Sequence, residues 1–224
     1  MRSKVSAVED YRLRLKQIEE EFNFDESDGA PRFQLPADVT YRESFDYALK
    51  YGIKHAIELK DALGAVSTHL EKNVHVLDIG CGAALTASVV REAGISVKSY
   101  CGVDHAPAQV WLARLLNPGS NFMTDLAVVP MIREPALVVM NHICAQENVT
   151  EIDLHNWAKQ LSRIIPNGFD LVSIEPSMKI PKQEHFISFL VEEGHFSKVI
   201  VTENTQGQFR YPKKTKVVRI SGKT

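Results

Sequence analysis

Very little in this chain is extreme, and each thing it lacks removes a class of protein. Its three cysteines, Cys81, Cys101 and Cys144, have no metal-ligand spacing. Each falls in or beside an apolar stretch that reads as a strand, where reduced thiols are commonly buried. Neither a disulfide nor a metal ion is expected. No apolar run is long enough to cross a bilayer, and the N-terminus has no apolar core of the signal-peptide kind. The expected location is therefore the cytoplasm. Charge of one sign is also missing: 26 Lys and Arg against 28 Asp and Glu leave a formal −2. No global field draws such a chain to nucleic acid, and nothing points to DNA in particular. Repeats and low-complexity tracts are absent as well. A chain of 224 residues, 44% hydrophobic and 24% charged, can bury a real core and fits one domain with an extension.

One stretch organises the rest, from Val74 to Leu85. It is an apolar run that ends in Asp78-Ile79-Gly80-Cys81-Gly82. Such a run reads as a buried parallel strand. Two glycines one residue apart allow a tight turn and a close approach of ligand to backbone. A helical pattern follows over 83–93, and Gly94 stops it. The next strand, over 97–103, ends in Asp104. An acid about twenty residues past a glycine turn is placed to hold a ribose diol. In open α/β sheets the ligand lies beyond the carboxyl ends of the strands, so Asp78 and Asp104 mark where a nucleotide-like ligand would sit.

With Asp78-Ile79-Gly80-Cys81-Gly82 after the first strand and Asp104 at the end of the second, the chain from Asn73 onward resembles the class I S-adenosylmethionine-dependent methyltransferases. The resemblance implies a Rossmann-like, seven-stranded, mostly parallel sheet with an antiparallel last strand and helices on both faces. It implies S-adenosylmethionine as cofactor, with Asp78, Gly80, Cys81 and Gly82 forming the loop at its methionine part and Asp104 on its ribose. His105 then either packs on the adenine or is a surface histidine. Asp125, in Met123-Thr124-Asp125-Leu126, meets the adenine amino group, and Leu126 flanks the ring. Asn141 lines the methyl end. His142, next to it, is the candidate general base for a hydroxyl, amine or ring-nitrogen acceptor. For His142, the competing reading is a histidine hydrogen-bonded within its loop.

Taken in order, residues 1–26 read as a polar helix with Val8, Tyr11, Leu15, Ile18 and Phe22 on one stripe. A connector rich in turn formers runs to Asp38. Thr40 and Glu43 form a capping box for a helix over 41–63 whose apolar face is Phe45, Leu49, Ile53, Ala56, Ile57 and Leu63. Residues 1–70 are thus expected as a helical extension, either a lid or part of the substrate site, and 71–224 as the cofactor-binding domain. The core alternates strand and helix: a helix over 107–116 entered by Pro107, a short strand at 121–123, a strand at 136–141, a helix over 151–165 capped by Thr150, a strand at 170–174, a helix over 182–193 and a strand at 198–202. The last strand, 215–220, follows a connection without helical pattern and is expected to be antiparallel.

Transfer from a sulfonium needs alignment and exclusion of water rather than a nucleophilic residue. The acceptor is narrowed mainly by absences. After the fourth strand stands Asn141-His142-Ile143-Cys144, not the Asn-Pro-Pro-Tyr motif of adenine or glutamine N-methylation, and no cysteine follows a proline as in cytosine-C5 enzymes. Glu175 reads either as a substrate contact or as a solvated acid. Arg210, Lys213, Lys214, Lys216, Arg219 and Lys223, interleaved with Phe209 and Tyr211, read first as the protected edge of a hairpin and alternatively as suiting an RNA backbone. RNA and a small molecule are the two acceptor classes left. A non-catalytic scaffold or regulatory partner is the alternative function. A nicotinamide oxidoreductase fits worse, because Leu85 stands where its fingerprint needs a third glycine.

Overall fold

In the computed structural model, residues 6–22, 37–66, 73–144, 146, 148–176, 180–194, 196–206 and 213–223 are described. The ends of the expected first helix, most of the connector to Asp38, and Phe209, Arg210 and Tyr211 lie outside them.

The apolar run forms strand β1 (Val74–Ile79), and it pairs in parallel with β2 (Val97–Val103) and β4 (Ala136–Asn141). Strands β3 (Asn121–Met123) and β5 (Gly168–Pro176) extend this parallel set on either side. Strand β7 (Lys213–Lys223) pairs antiparallel with β5 and with β6 (Phe196–Gln206), so the sheet order is β3-β2-β1-β4-β5-β7-β6. Chain progression reverses between β1 and β4, which opens a crevice at their carboxyl ends. The last two strands are longer than their apolar centres suggest, because ladder pairing carries the polar flanks along.

Alternation along each strand makes two cores. Val74 and Val76 of β1, Leu137 and Val139 of β4, and Val172 and Ile174 of β5 face one side. There they meet helices α1 (Ala7–Phe22), α2 (Tyr41–Tyr47), α3 (Ile53–Val66), α4 (Thr86–Glu92) and α5 (Pro107–Leu116). Leu77, Ile79, Val138, Met140 and Leu171 face the other side, against α6 (Glu151–Ile164) and α7 (Ile180–Gly194). Asp78 has the parity of Val74 and Val76, so its carboxyl belongs to the α1–α5 side.

The described N-terminal helices share the first core. Tyr11, Leu15 and Ile18 are buried in it, while Phe22 is 42% exposed and meets Trp111 edge-on at 5.1 Å. Glu92 of α4 accepts from the Ala7 N–H at 3.1 Å and from Lys60 Nζ at 2.6 Å, tying α1 and α3 to α4. The Thr40–Glu43 capping box is present. The long second helix is continuous in direction but not in hydrogen bonding, since Ala48–Gly52 is a π turn between α2 and α3. The wider turn inserts a step of five between buried Ala48 and Ile53. The buried face becomes Phe45, Ala48, Ile53, Ala56, Leu59, Ala62 and Leu63, and the expected core residues Leu49 and Ile57 are 47% and 43% exposed. The helix expected over 83–93 begins only at Thr86, because Gly80, Gly82 and Ala84 all take positive φ in the preceding turn.

Candidate functional site

The loop after β1 is pinned to the end of β2. Gly80 and Cys81 both donate their N–H to the Val103 carbonyl, at 2.7 and 3.0 Å. Gly80 has φ +68°, and a Cβ there would stand 1.8 Å from Ile143 Cδ1. The position thus needs glycine twice, for its backbone and for the side chain lying against it. Gly82, at φ +52°, turns its N–H onto Asp104 Oδ2 at 2.9 Å, and the Ala106 N–H donates to Asp104 Oδ1 at 3.0 Å. One carboxylate therefore fixes both the glycine turn and the start of α5.

Asp78 is 1% exposed. It accepts hydrogen bonds from the Tyr100 hydroxyl and from Thr86. Burial pushes its carboxyl up to about 7, against those two hydrogen bonds, and the nearby charge of Asp104 adds to the rise. Burial also raises Asp104, opposed by the Ala106 and Gly82 N–H groups and by His105. Tyr47 of α2 is raised by burial and then by the charge of Asp104, which places an N-terminal tyrosine beside the strand-end acid.

These groups surround a cavity of about 490 Å³, within the usual size range of small-molecule sites. The residues expected at the cofactor and the candidate general base lie on its lining: Asp78, Gly80, Cys81, Gly82, Asp104, His105, Asp125, Leu126, Asn141 and His142. Their environments differ. The His105 side chain is 47% exposed, 3.7 Å from Asp104 Oδ1. Asp125 spends one oxygen on the Ala127 N–H at 2.8 Å, capping the short 3-10 helix Leu126–Val128. Asn141 donates from Nδ2 to the His55 carbonyl at 3.0 Å, and its Oδ1 is a buried acceptor with no partner. His142 is buried at φ +60°, with Nε2 3.1 Å from Glu58 Oε2 and its ring stacked on His55, centroids 4.5 Å apart. It is thus held within a cluster with Glu58 and His55.

Glu175 is neither solvated nor on the cavity lining. It is 0% exposed and accepts from the Cys144 N–H at 2.8 Å, fixing the loop after β4. Several lining residues carry no sequence motif: Tyr11, Tyr47 and His55 from the N-terminal helices, Gln109 from α5, and Asn156, Trp157 and Gln160 from α6. The only available signal was helical spacing, with Tyr47, Tyr51 and His55 four residues apart on one face. That face becomes a cavity wall only once α2 and α3 are docked. The cysteine spacing gave no sign of a metal site, yet His55, Glu58 and His142 converge with ligand atoms within 4.8 Å of one another.

The described sheet, its crevice and this loop make an α/β Rossmann-like fold, that of the class I S-adenosylmethionine-dependent methyltransferases. Magnesium protoporphyrin IX methyltransferase from Synechocystis, solved with bound S-adenosylmethionine, is similar over 92% of this chain and 97% of its own, with a TM-score of 0.52 at 17% identity. A TehB-like S-adenosylmethionine-dependent methyltransferase from Corynebacterium glutamicum is similar over 82% of this chain and 100% of its own, at a TM-score of 0.55 and 12% identity. An S-adenosylmethionine-dependent methyltransferase from Archaeoglobus fulgidus gives 0.55 over 79% and 100%, at 15% identity. No protein-family model and no curated protein matches the sequence. Among the described residues no helix is long and apolar enough to cross a membrane.

Proposed function

We propose that this protein is an S-adenosylmethionine-dependent methyltransferase. The observation that carries the reading is the pair of strand-end carboxylates, Asp78 and Asp104, sharing one cavity with the Gly80–Gly82 turn. The residues fit the cofactor. Each Asp104 oxygen takes one backbone N–H and keeps acceptor capacity for a ribose hydroxyl. Asn141 Oδ1 is an unpartnered acceptor available to an amino group. The cofactor supplies an activated methyl group on a sulfonium.

Around it the chain's own groups bind and orient. Asp104 holds the ribose; Asp78 organises the turn at the methionine end; Leu126 and Asp125 bracket the adenine, with His105 at its rim. The described N-terminal helices form a cover, with Tyr11, Tyr47 and His55 closing the cavity and excluding water. His142, next to Asn141, stands at the acceptor end and acts together with His55 and Glu58.

Between the two acceptor classes, the cavity favours a small molecule. Among the described residues no lysine or arginine lies on its lining, so a phosphate backbone entering it would meet no cation from them. Neutral amides and an indole from α6 are suited to a small polar or aromatic acceptor. The test is calorimetric titration of the full chain with S-adenosylhomocysteine and, in parallel, with NAD. Binding of the former alone supports the assignment. Binding of neither refutes it in favour of a scaffold, and binding of NAD alone points to an oxidoreductase.

A further inference from the structure

His55 and Glu58 lie three residues apart on α3, so they project from the same side of the helix. His142 arrives from the loop after β4. The Asn141 side-chain Nδ2 donates to the His55 carbonyl at 3.0 Å, tying this loop to α3, and the His142 N–H donates to the Ile174 carbonyl of β5 at 2.9 Å, tying it to the sheet. The result is two stacked imidazoles and a carboxylate, Glu58 at 3% and His142 at 6% exposure, with all three ligand atoms within 4.8 Å of one another. By contrast, the His155–Glu193 and His185–Glu151 pairs lie at the surface.

We propose that His55, Glu58 and His142 bind a divalent transition-metal ion at the wall of the cavity. Two imidazole nitrogens and one carboxylate oxygen are the donor set of many zinc and non-haem iron sites. Tetrahedral zinc with bonds of about 2.0–2.1 Å places its ligand atoms roughly 3.4 Å apart. The His142 Nε2–Glu58 Oε2 edge is already 3.1 Å, so the partly exposed His55 ring, which lies stacked on that of His142, is the ligand that has to turn to bring a nitrogen to the same ion. A buried carboxylate is costly unless it is paired with positive charge, and the ion supplies that charge in place of the proton between Glu58 and His142. His55 and His142 both line the cavity, so an ion held here is reachable by an oxygen or nitrogen group of a bound acceptor. The site stands independently of the cofactor assignment, because none of its three ligands belongs to the glycine loop or the strand-end acids.

The test uses the full chain, stripped by chelator and titrated with cobalt(II) followed by absorption, and with zinc by calorimetry. One ion per chain is expected, with a visible cobalt spectrum free of thiolate charge-transfer bands. Glu58→Gln keeps the shape and a hydrogen bond to His142, and His55→Ala removes a partly exposed ring. Each is expected to weaken metal binding by at least about tenfold, with circular dichroism unchanged. Should one variant fail to fold, the other decides. No saturable binding, a thiolate band, or unchanged affinity in the folded variants overturns the proposal. The last of these would assign the cluster to a hydrogen-bonded histidine–glutamate pair and the binding to surface histidines. S-adenosylhomocysteine affinity, measured on the same samples, reports separately on the cofactor site.

Discussion

Replacing Asp78 by asparagine is expected to make the protein more stable at neutral pH while weakening cofactor binding. Burial raises the Asp78 carboxyl from 3.8 to about 7 in the native state. Between those two values the folded chain holds a proton that the unfolded chain has released, so stability falls as pH rises through this window. At about 1.4 kcal/mol per unit, the span of roughly three units costs the wild type about 4 kcal/mol by pH 7. That is a large share of the usual 5–15 kcal/mol of folding stability (order of magnitude). Asparagine has nearly the same shape, keeps an acceptor for the Tyr100 hydroxyl, and never ionises. Urea unfolding at half-unit steps from pH 4 to pH 8 measures the effect as the difference between the two proteins, which removes titrations they share. The difference should grow by a few kcal/mol toward neutral pH and then level off. Parallel curves would show that Asp78 titrates normally and that the burial argument is wrong. The cost at neutral pH is of the kind commonly tolerated where a buried group serves a site.

Gly80→Ala should cost at least about 2 kcal/mol in chemical denaturation, combining left-handed strain with the Ile143 side chain 1.8 Å from the new Cβ. Ile143→Ala in the same chain should recover part of that loss, and strict additivity would mean the two do not touch. Asp104→Ala should both reduce S-adenosylhomocysteine affinity and destabilise the fold by about 2–3 kcal/mol, since it strands the Gly82 and Ala106 N–H groups. Unchanged affinity in a folded variant would remove Asp104 from the ribose. Thiol reagents at neutral pH should modify the native protein slowly and reach all three cysteines only on unfolding. Burial pushes Cys101 up to about 11 and Cys81 and Cys144 well above their usual value, and fast labelling of native protein would contradict that burial.

The sequence by itself determined the elements and the frame of the site. A run such as Val74–Ile79 is legible because burial on both faces demands near-continuous apolarity. Gly80 and Gly82 are legible because positive φ favours glycine so strongly. Asp78 and Asp104 follow from the strand ends they occupy, and the Thr40 and Thr150 caps from local chemistry. Each of these signals lies within a few residues of chain. The tertiary structure decided what depends on segments meeting. The π turn at Ala48–Gly52 moved Leu49 and Ile57 to the surface, because helix register there is set by docking and not by the average period. Glu175 became a buried loop anchor because the Cys144 N–H reaches it from 31 residues away in sequence. His142 and Glu58 are 84 residues apart and became neighbours only when α3 settled over the end of β4. Periodicity reports which face of an element is buried, but not what it is buried against. The cavity wall and the histidine–glutamate cluster are therefore properties of the packed chain alone.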